Sequence, residues 1–341
     1  MDSPARTHAL ANRQIQRGFS LIELMVSITI GLLILSALAT LFVNQSKARS
    51  ELDKANRMID NARYALEILS DNLKLAGFYG SLNPNSIAAP GTLPDPCSTA
   101  MADIAAALPL HIQGYNAANP TVAAASPPTC LPATLKTGSD ILVIRRVDTS
   151  APIAQAAAVN GTPYLQARVC QYDTATHIVN NTPAGFTLRQ KNCTATSTTP
   201  YADLRRMMVQ IYYIDSSNQA GDGIPTLKRV ELNDTGAMTT VPLVEGIEFM
   251  QIDYGLDADS DGSADSYIAA PTLANWPNIM SVKLNLVARN IDSTADYIDT
   301  KTYSLGSLAG TYTPAAGDHF KRHAYTQVVR LSNPSGRRES P

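Results

Sequence analysis

Apolar and polar positions follow three successive rhythms along this chain. From Phe19 to Val43, 25 residues carry a single charge, Glu23. About 20 apolar residues cross a bilayer as a helix, and only a helix satisfies its own backbone in lipid. The run therefore predicts a membrane-spanning helix over 19–43. Beyond it, Leu52, Ala55, Ile59, Ala62, Leu66, Leu69, Leu73 and Ala76 recur at alternating steps of three and four, with charges between them. That stripe predicts an amphipathic helix over 44–76, packed on a globular head. No proline interrupts Phe19 to Leu82, and Gly77 is the first plausible stop. The two parts then form one helix of 58 residues, about 87 Å long at about 1.5 Å per residue. A free coiled coil is the competing reading of the stripe, but the strand-rich sequence downstream needs a helix to cover it.

In the third rhythm, β-branched and alternating runs predict strands. These are Asp140–Val147, Tyr164–Tyr172, Phe186–Lys191, Met207–Ile214, Leu227–Leu232, Val244–Tyr254, Ile279–Arg289 and His323–Leu331. Gly221-Asp222-Gly223 makes the fourth and fifth a hairpin. Gly80 to Thr137 is rich in Pro, Ala, Ser and Asn and reads as a long, mostly irregular connection. No βαβ alternation is visible, so the fold class is α+β: a long N-terminal helix against a mainly antiparallel β-sheet head over 77–341.

Glu23 changes the picture of the first helix. A carboxylate near a bilayer centre costs roughly 2.5–3.5 kcal/mol, and less near the edge. A neutral residue would anchor better, so Glu23 calls for a partner. Arg17-Gly18-Phe19-Ser20-Leu21-Ile22-Glu23-Leu24-Met25-Val26 resembles the processing site of type IV prepilins and of type II secretion pseudopilins. The resemblance implies a cut by prepilin peptidase between Gly18 and Phe19, and N-methylation of Phe19. It also implies pairing of Glu23 with the N-terminus of a neighbouring subunit during assembly. A buried carboxylate is tolerable when a cation meets it. An uncleaved signal anchor is the plain alternative. Major pilins often carry a proline midway along the apolar segment; here there is none, only Gly31, which speaks against a bulk filament role. Asp140–Val147, Val244–Gly255, Trp276–Arg289 and Lys321–Asn333 are similar, in order, to segments of the PilW group of minor pilins. J-type pseudopilins share that architecture.

The cut makes 1–18 a leader, outside the mature fold. Its Arg6, Arg13 and Arg17 favour leaving that end in the cytoplasm and the head in the periplasm. Without it the chain carries 24 Lys+Arg against 28 Asp+Glu, a net −4. With no basic cluster, that balance argues against nucleic acid as a partner. Cys97, Cys130, Cys170 and Cys193 are an even set for an oxidising compartment. Three pairings are possible; sequence order, Cys97 with Cys130 and Cys170 with Cys193, is the expected one. No C-x-x-C spacing suggests zinc.

No catalytic constellation is visible. His8, His111, His177, His319 and His323 lack metal spacing, and no G-x-S-x-G occurs. Tyr212-Tyr213 reads as a two-sided strand, and Trp276 as a core residue. One loop stands apart. Asp257, Asp259 and Asp261 alternate before Gly262, as at positions one, three, five and six of an EF-hand-type calcium loop. Ser263 offers a carbonyl, and Asp265 can act through water at position nine. Position twelve is Ile268 where a bidentate glutamate is expected, and a solvated acidic turn is the plain reading.

The reading is a non-catalytic minor pilin, single-pass in the inner membrane with a periplasmic head, incorporated near the pilus tip. Calcium is its one candidate cofactor. The resemblance implies other minor pilins, the major pilin, the inner-membrane pilus assembly machinery and a PilY-type tip adhesin as partners. A J-like pseudopilin of type II secretion is the second reading. A single-span periplasmic binding or sensor protein with an uncleaved anchor is the third.

Overall fold

The computed structural model describes residues 18–117, 124, 126–194, 201–306, 308 and 310–339. All of the leader but Gly18 lies outside them. Helix α1 (Leu21–Lys74) is unbroken, as expected for a stretch without proline. Its last turn tightens through Leu75 N–H to Asn72 O and Ala76 N–H to Leu73 O. Gly77 then takes φ +71° and donates its N–H to Arg145 O.

The chain forms two compact units, one up to Asp53 and one from Lys54 to Pro341. In the first, none of the described residues is buried, and apolar side chains from Phe19 to Val43 are openly exposed. A helix of a soluble core would bury one face; this one offers apolar surface all round.

In the second unit, Ala62, Ala65, Leu69, Leu73 and Ala76 are fully buried, with Met58 and Leu66 packed beside them. The amphipathic stripe is therefore shorter than 44–76, since Leu52 is 64% exposed. The compact head begins at Lys54, not at Gly77, because the helix supplies part of its core.

The connection after α1 is more ordered than its composition predicts. It holds α2 (Met101–Ala106) and β1 (Ile112–Tyr115). There follow β2 (Ile141–Val147), β3 (Tyr164–Ala167), β4 (His177–Asn180), β5 (Leu204–Asp215), β6 (Thr226–Leu232) and β7 (Met238–Glu245). These seven make one antiparallel sheet in the order β1-β2-β5-β3-β4, with β6 beside β5 and β7 beside β6. A second sheet, β13-β10-β8-β9, uses β8 (Ile247–Leu256), β9 (Ser266–Ile268), β10 (Ile279–Arg289) and β13 (Arg322–Arg330). Tyr303–Ser304 and Thr311–Tyr312 form a small pair, β11 and β12. Among the described residues every ladder is antiparallel.

Strand alternation explains the layering. Leu142, Ile144 and Tyr212 face the core shared by α1 and both sheets. Ile141, Val143 and Tyr213 face a second core under Tyr79, Ile104 and Leu108. Tyr212 and Tyr213 thus occupy opposite faces of β5, and Trp276 is buried edge-on against Tyr254 at 4.9 Å.

Two strand expectations are corrected. Phe186–Lys191 is no strand: the Gln166 side chain, rather than a backbone ladder, accepts the Leu188 N–H at 3.0 Å. The Val244–Tyr254 run is two strands, because Gly246 at φ +78° turns the chain between β7 and β8. Beyond β13, Asn333-Pro334 lies in a further helix, α3 (Ser332–Glu339). Proline is tolerated in a first helical turn, where its missing N–H has no partner to lose.

Candidate functional site

Two sites singled out by sequence have defined geometry. The first is the start of α1. Ser20 O accepts the Leu24 N–H at 3.1 Å, which makes Ser20 the N-cap. Glu23 Oε2 accepts the Ser20 N–H at 2.9 Å, and Ser20 Oγ accepts the Glu23 N–H at 3.4 Å. This reciprocal pair is a capping box, Ser-x-x-Glu. It answers part of the question that Glu23 raises: within one chain the carboxylate already has a backbone donor and the positive end of the helix. Gly18 and Phe19 precede the cap in non-helical conformation, and a side chain at Gly18 would meet nothing within 4 Å. The bond expected to be cut therefore lies just outside the helix. The role of Ser20 was missed, although the Ser-x-x-Glu spacing signals it.

The second site is the acidic loop between β8 and β9. Carboxylate oxygens of Asp257, Asp259 and Asp265 lie within 4.8 Å of one another. Asp257 is buried, and both its oxygens are engaged. Oδ1 accepts the Ser260 N–H at 2.7 Å; Oδ2 accepts the Gly262 N–H at 2.9 Å and the Arg338 Nη1–H at 2.8 Å. Burial opposes ionisation of Asp257, but Arg338 and the two amides outweigh it and hold the carboxyl below its usual range. Asp265 Oδ2 accepts the Ala258 N–H, and Asp259 Oδ1 accepts the Asp261 N–H. Asp261 is turned to the Ser263 N–H. Ile268, at position twelve, sits in β9 opposite Tyr254. The residues fit an EF-hand-type calcium loop poorly, since an arginine already holds the central carboxylate and position twelve is apolar. Arg338 was missed because it lies 81 residues away in the chain.

The four cysteines pair Cys97 with Cys130 and Cys170 with Cys193. The first bridge ties down the connection that carries α2 and β1; there Asp95 accepts from Cys97 N–H and from Thr129 Oγ1. The second joins the turn after β3 to the segment near Arg189.

The histidines are separate. His111 is buried, donates Nε2–H to Ile279 O at 2.8 Å, and is pushed down to about 4 by burial. His8 lies outside the described residues. Sequence reading also missed a buried charge centre. The Arg322 guanidinium, fully enclosed, meets Glu248, Asp299 and Asp318, and so pins the excursion between β10 and β13 onto the second sheet. With Arg322 and Glu248 on strands of the same sheet and the guanidinium paired to all three carboxylates, this centre reads as structural.

Residues 13–39 match the prokaryotic N-terminal methylation motif, a span that contains Gly18, Phe19 and the capping box. Residues 211–333 match the family described as type IV pilus-assembly protein W, from within β5 to the start of α3. A type IV-like pilin of Thermus thermophilus aligns over 82% of this chain and 98% of its own, at 11% identity and TM-score 0.34. No curated protein matches the sequence. The resemblance to type IV pilins and to the PilW group thus holds at both ends of the chain.

Proposed function

From a chain with a prepilin methylation motif at its start and a PilW-like head, we propose a minor pilin that helps to initiate or cap a type IV pilus. It is a structural subunit without catalysis of its own. The observation that carries this is α1, whose first unit exposes apolar side chains on every side. Such a surface is stable only in lipid or against other helices of the same kind. Before assembly the helix lies in the inner membrane with the head in the periplasm. After cleavage at Gly18–Phe19 it enters the pilus beside other minor pilins.

A minor role is supported by the continuity of α1 through Gly31, without the mid-segment proline that bulk pilins often use. The major pilin, the inner-membrane machinery and a tip adhesin are the partners this reading implies.

The test is deletion of the gene, with pili counted by electron microscopy and secreted enzymes assayed in parallel. Loss of pili with normal secretion is expected. Normal pili with lost secretion would transfer the protein to a type II secretion system.

A further inference from the structure

We propose that Arg338 is the built-in cation of the acidic loop, so that helix α3, and no bound metal, orders Asp257–Asp265. The inference is independent of the pilus reading.

Three observations carry it. First, Arg338 bridges the start of the acidic loop and the segment that leads into β10. One nitrogen donates to Asp257 Oδ2 at 2.8 Å, and the other to Asn278 Oδ1 and to Pro277 O. Asn278 O in turn accepts the Asp257 N–H at 2.9 Å, which closes a ring of contacts between the loop, the start of β10 and α3. The planar guanidinium suits this bridging, because it presents several donors in a fixed fork.

Second, Gly262 has a reason unrelated to metal binding. At φ +90° it lies so close to α3 that an added Cβ would come within 2.8 Å of Ser335 O and 3.4 Å of the Arg338 side chain. The glycine that imitates position six of a calcium loop is there to let the C-terminal helix sit down. Third, burial fits a permanent partner: the side chains of Arg338 and Asp257 are 13% and 0% exposed. A buried carboxylate with its strong acceptor sites filled offers a metal little.

The full chain in detergent micelles tests this by thermal melting, with 5 mM-scale calcium or with a chelator, on the native sequence and on Arg338→Ala and Arg338→Lys. The native protein is expected to melt at the same temperature under both conditions. Arg338→Ala should melt of the order of 5 °C lower, with faster amide exchange over 257–265. Arg338→Lys, which keeps the charge but not the fork, should fall between. With the arginine gone, three carboxylates within 4.8 Å are left uncompensated, so calcium should raise the melting temperature of Arg338→Ala alone. Stabilisation of the native protein by calcium, or its loss on chelation, would overturn the proposal. So would an Arg338→Ala protein with unchanged melting and unchanged exchange in the loop.

Discussion

The Asp140 carboxylate accepts the Ile252 backbone N–H at 2.8 Å, and through it the two sheets are joined. Strand β8 is paired by β10 along one edge. Along the other, over Met250 to Ile252, no strand among the described residues arrives. Ser139 and Asp140 take its place: Asp140 N–H donates to Met250 O, Ser139 Oγ bonds both polar groups of Met250, and Asp140 Oδ1 reaches back to the Ala117 N–H. A buried edge left unpaired would cost more than these side chains do.

This joint titrates. Burial pushes the Asp140 carboxyl up to about 8, against the two amide bonds, and nearby Asp253 adds to the rise. A folded value above the unfolded one means that folding takes up a proton. The contribution is full below about pH 4 and is lost as pH rises through about 8. His111, pushed down to about 4, works the other way and loses stability as pH falls below about 6.5. The two offset each other in mild acid, and of this pair only Asp140 acts above it. Between pH 6.5 and 8 the native chain should lose about 2 kcal/mol in denaturant unfolding, at about 1.4 kcal/mol per unit. Asp140→Asn should be weaker by about 1–3 kcal/mol at pH 6.5, because one amide loses its acceptor, but should show no such fall, so the gap to the native chain should narrow by about 2 kcal/mol at pH 8. Equal slopes for the two proteins would rule the joint out as the source.

What was legible in the sequence follows from how local each signal is. The apolar run and most of the β-branched strands act over neighbouring residues, and the structure repeats them within a few positions; the Ser-x-x-Glu cap is equally local and was open to the same reading. The head boundary at Lys54 was hidden because a regular stripe cannot say where its cover begins. Strand β1 was hidden because Ile112-Gln113-Gly114-Tyr115 carries a glycine; the Tyr254 ring fills the space where a Cβ would stand. The acidic loop misled for a related reason. Asp257, Gly262 and their spacing are read locally, whereas Arg338, which gives them their meaning, arrives from the far end of the chain.

At the start of α1, two jobs of Glu23 can be separated. Gln serves a capping box nearly as well as Glu, so Glu23→Gln should keep the helix start and normal cleavage. It removes the charge that a neighbour's N-terminal amine would meet. Incorporation beside other pilins, read by co-purification from sheared pili, should then fall at least about tenfold. Ser20→Ala keeps the charge and costs about 1 kcal/mol of capping, so its effect on incorporation should be the smaller. Normal incorporation of Glu23→Gln would remove the case for a paired charge.

Gly18 precedes the cap outside the helix, where a peptidase must approach the backbone. Gly18→Val should block that approach and leave a precursor longer by the 18-residue leader, visible by intact mass. A mature chain starting at Phe19 from this variant would mean that the cut does not depend on glycine.

The last prediction concerns the second half of α1, which belongs to the head's core. Leu73 is fully buried in the cluster that also holds Met250, Ile252, Leu284 and Val329. Leu73→Ala removes that side chain where both sheets close on it, so about 2–5 kcal/mol should be lost. Tyr64, nine residues earlier on the same helix, is 54% exposed, and Tyr64→Ala should stay within about 0.5 kcal/mol. The contrast follows from helical spacing alone: Ala62, Ala65, Leu69 and Leu73 share one face, and Tyr64 lies off it. The same argument sets where a soluble head can be cut. A fragment from Lys54 keeps the whole face and should unfold cooperatively. A fragment from Gly77 uncovers the apolar side chains that α1 covers, and should aggregate or lose its sharp transition. Cooperative unfolding of the Gly77 fragment at the midpoint of the Lys54 fragment would show that α1 adds nothing to the head.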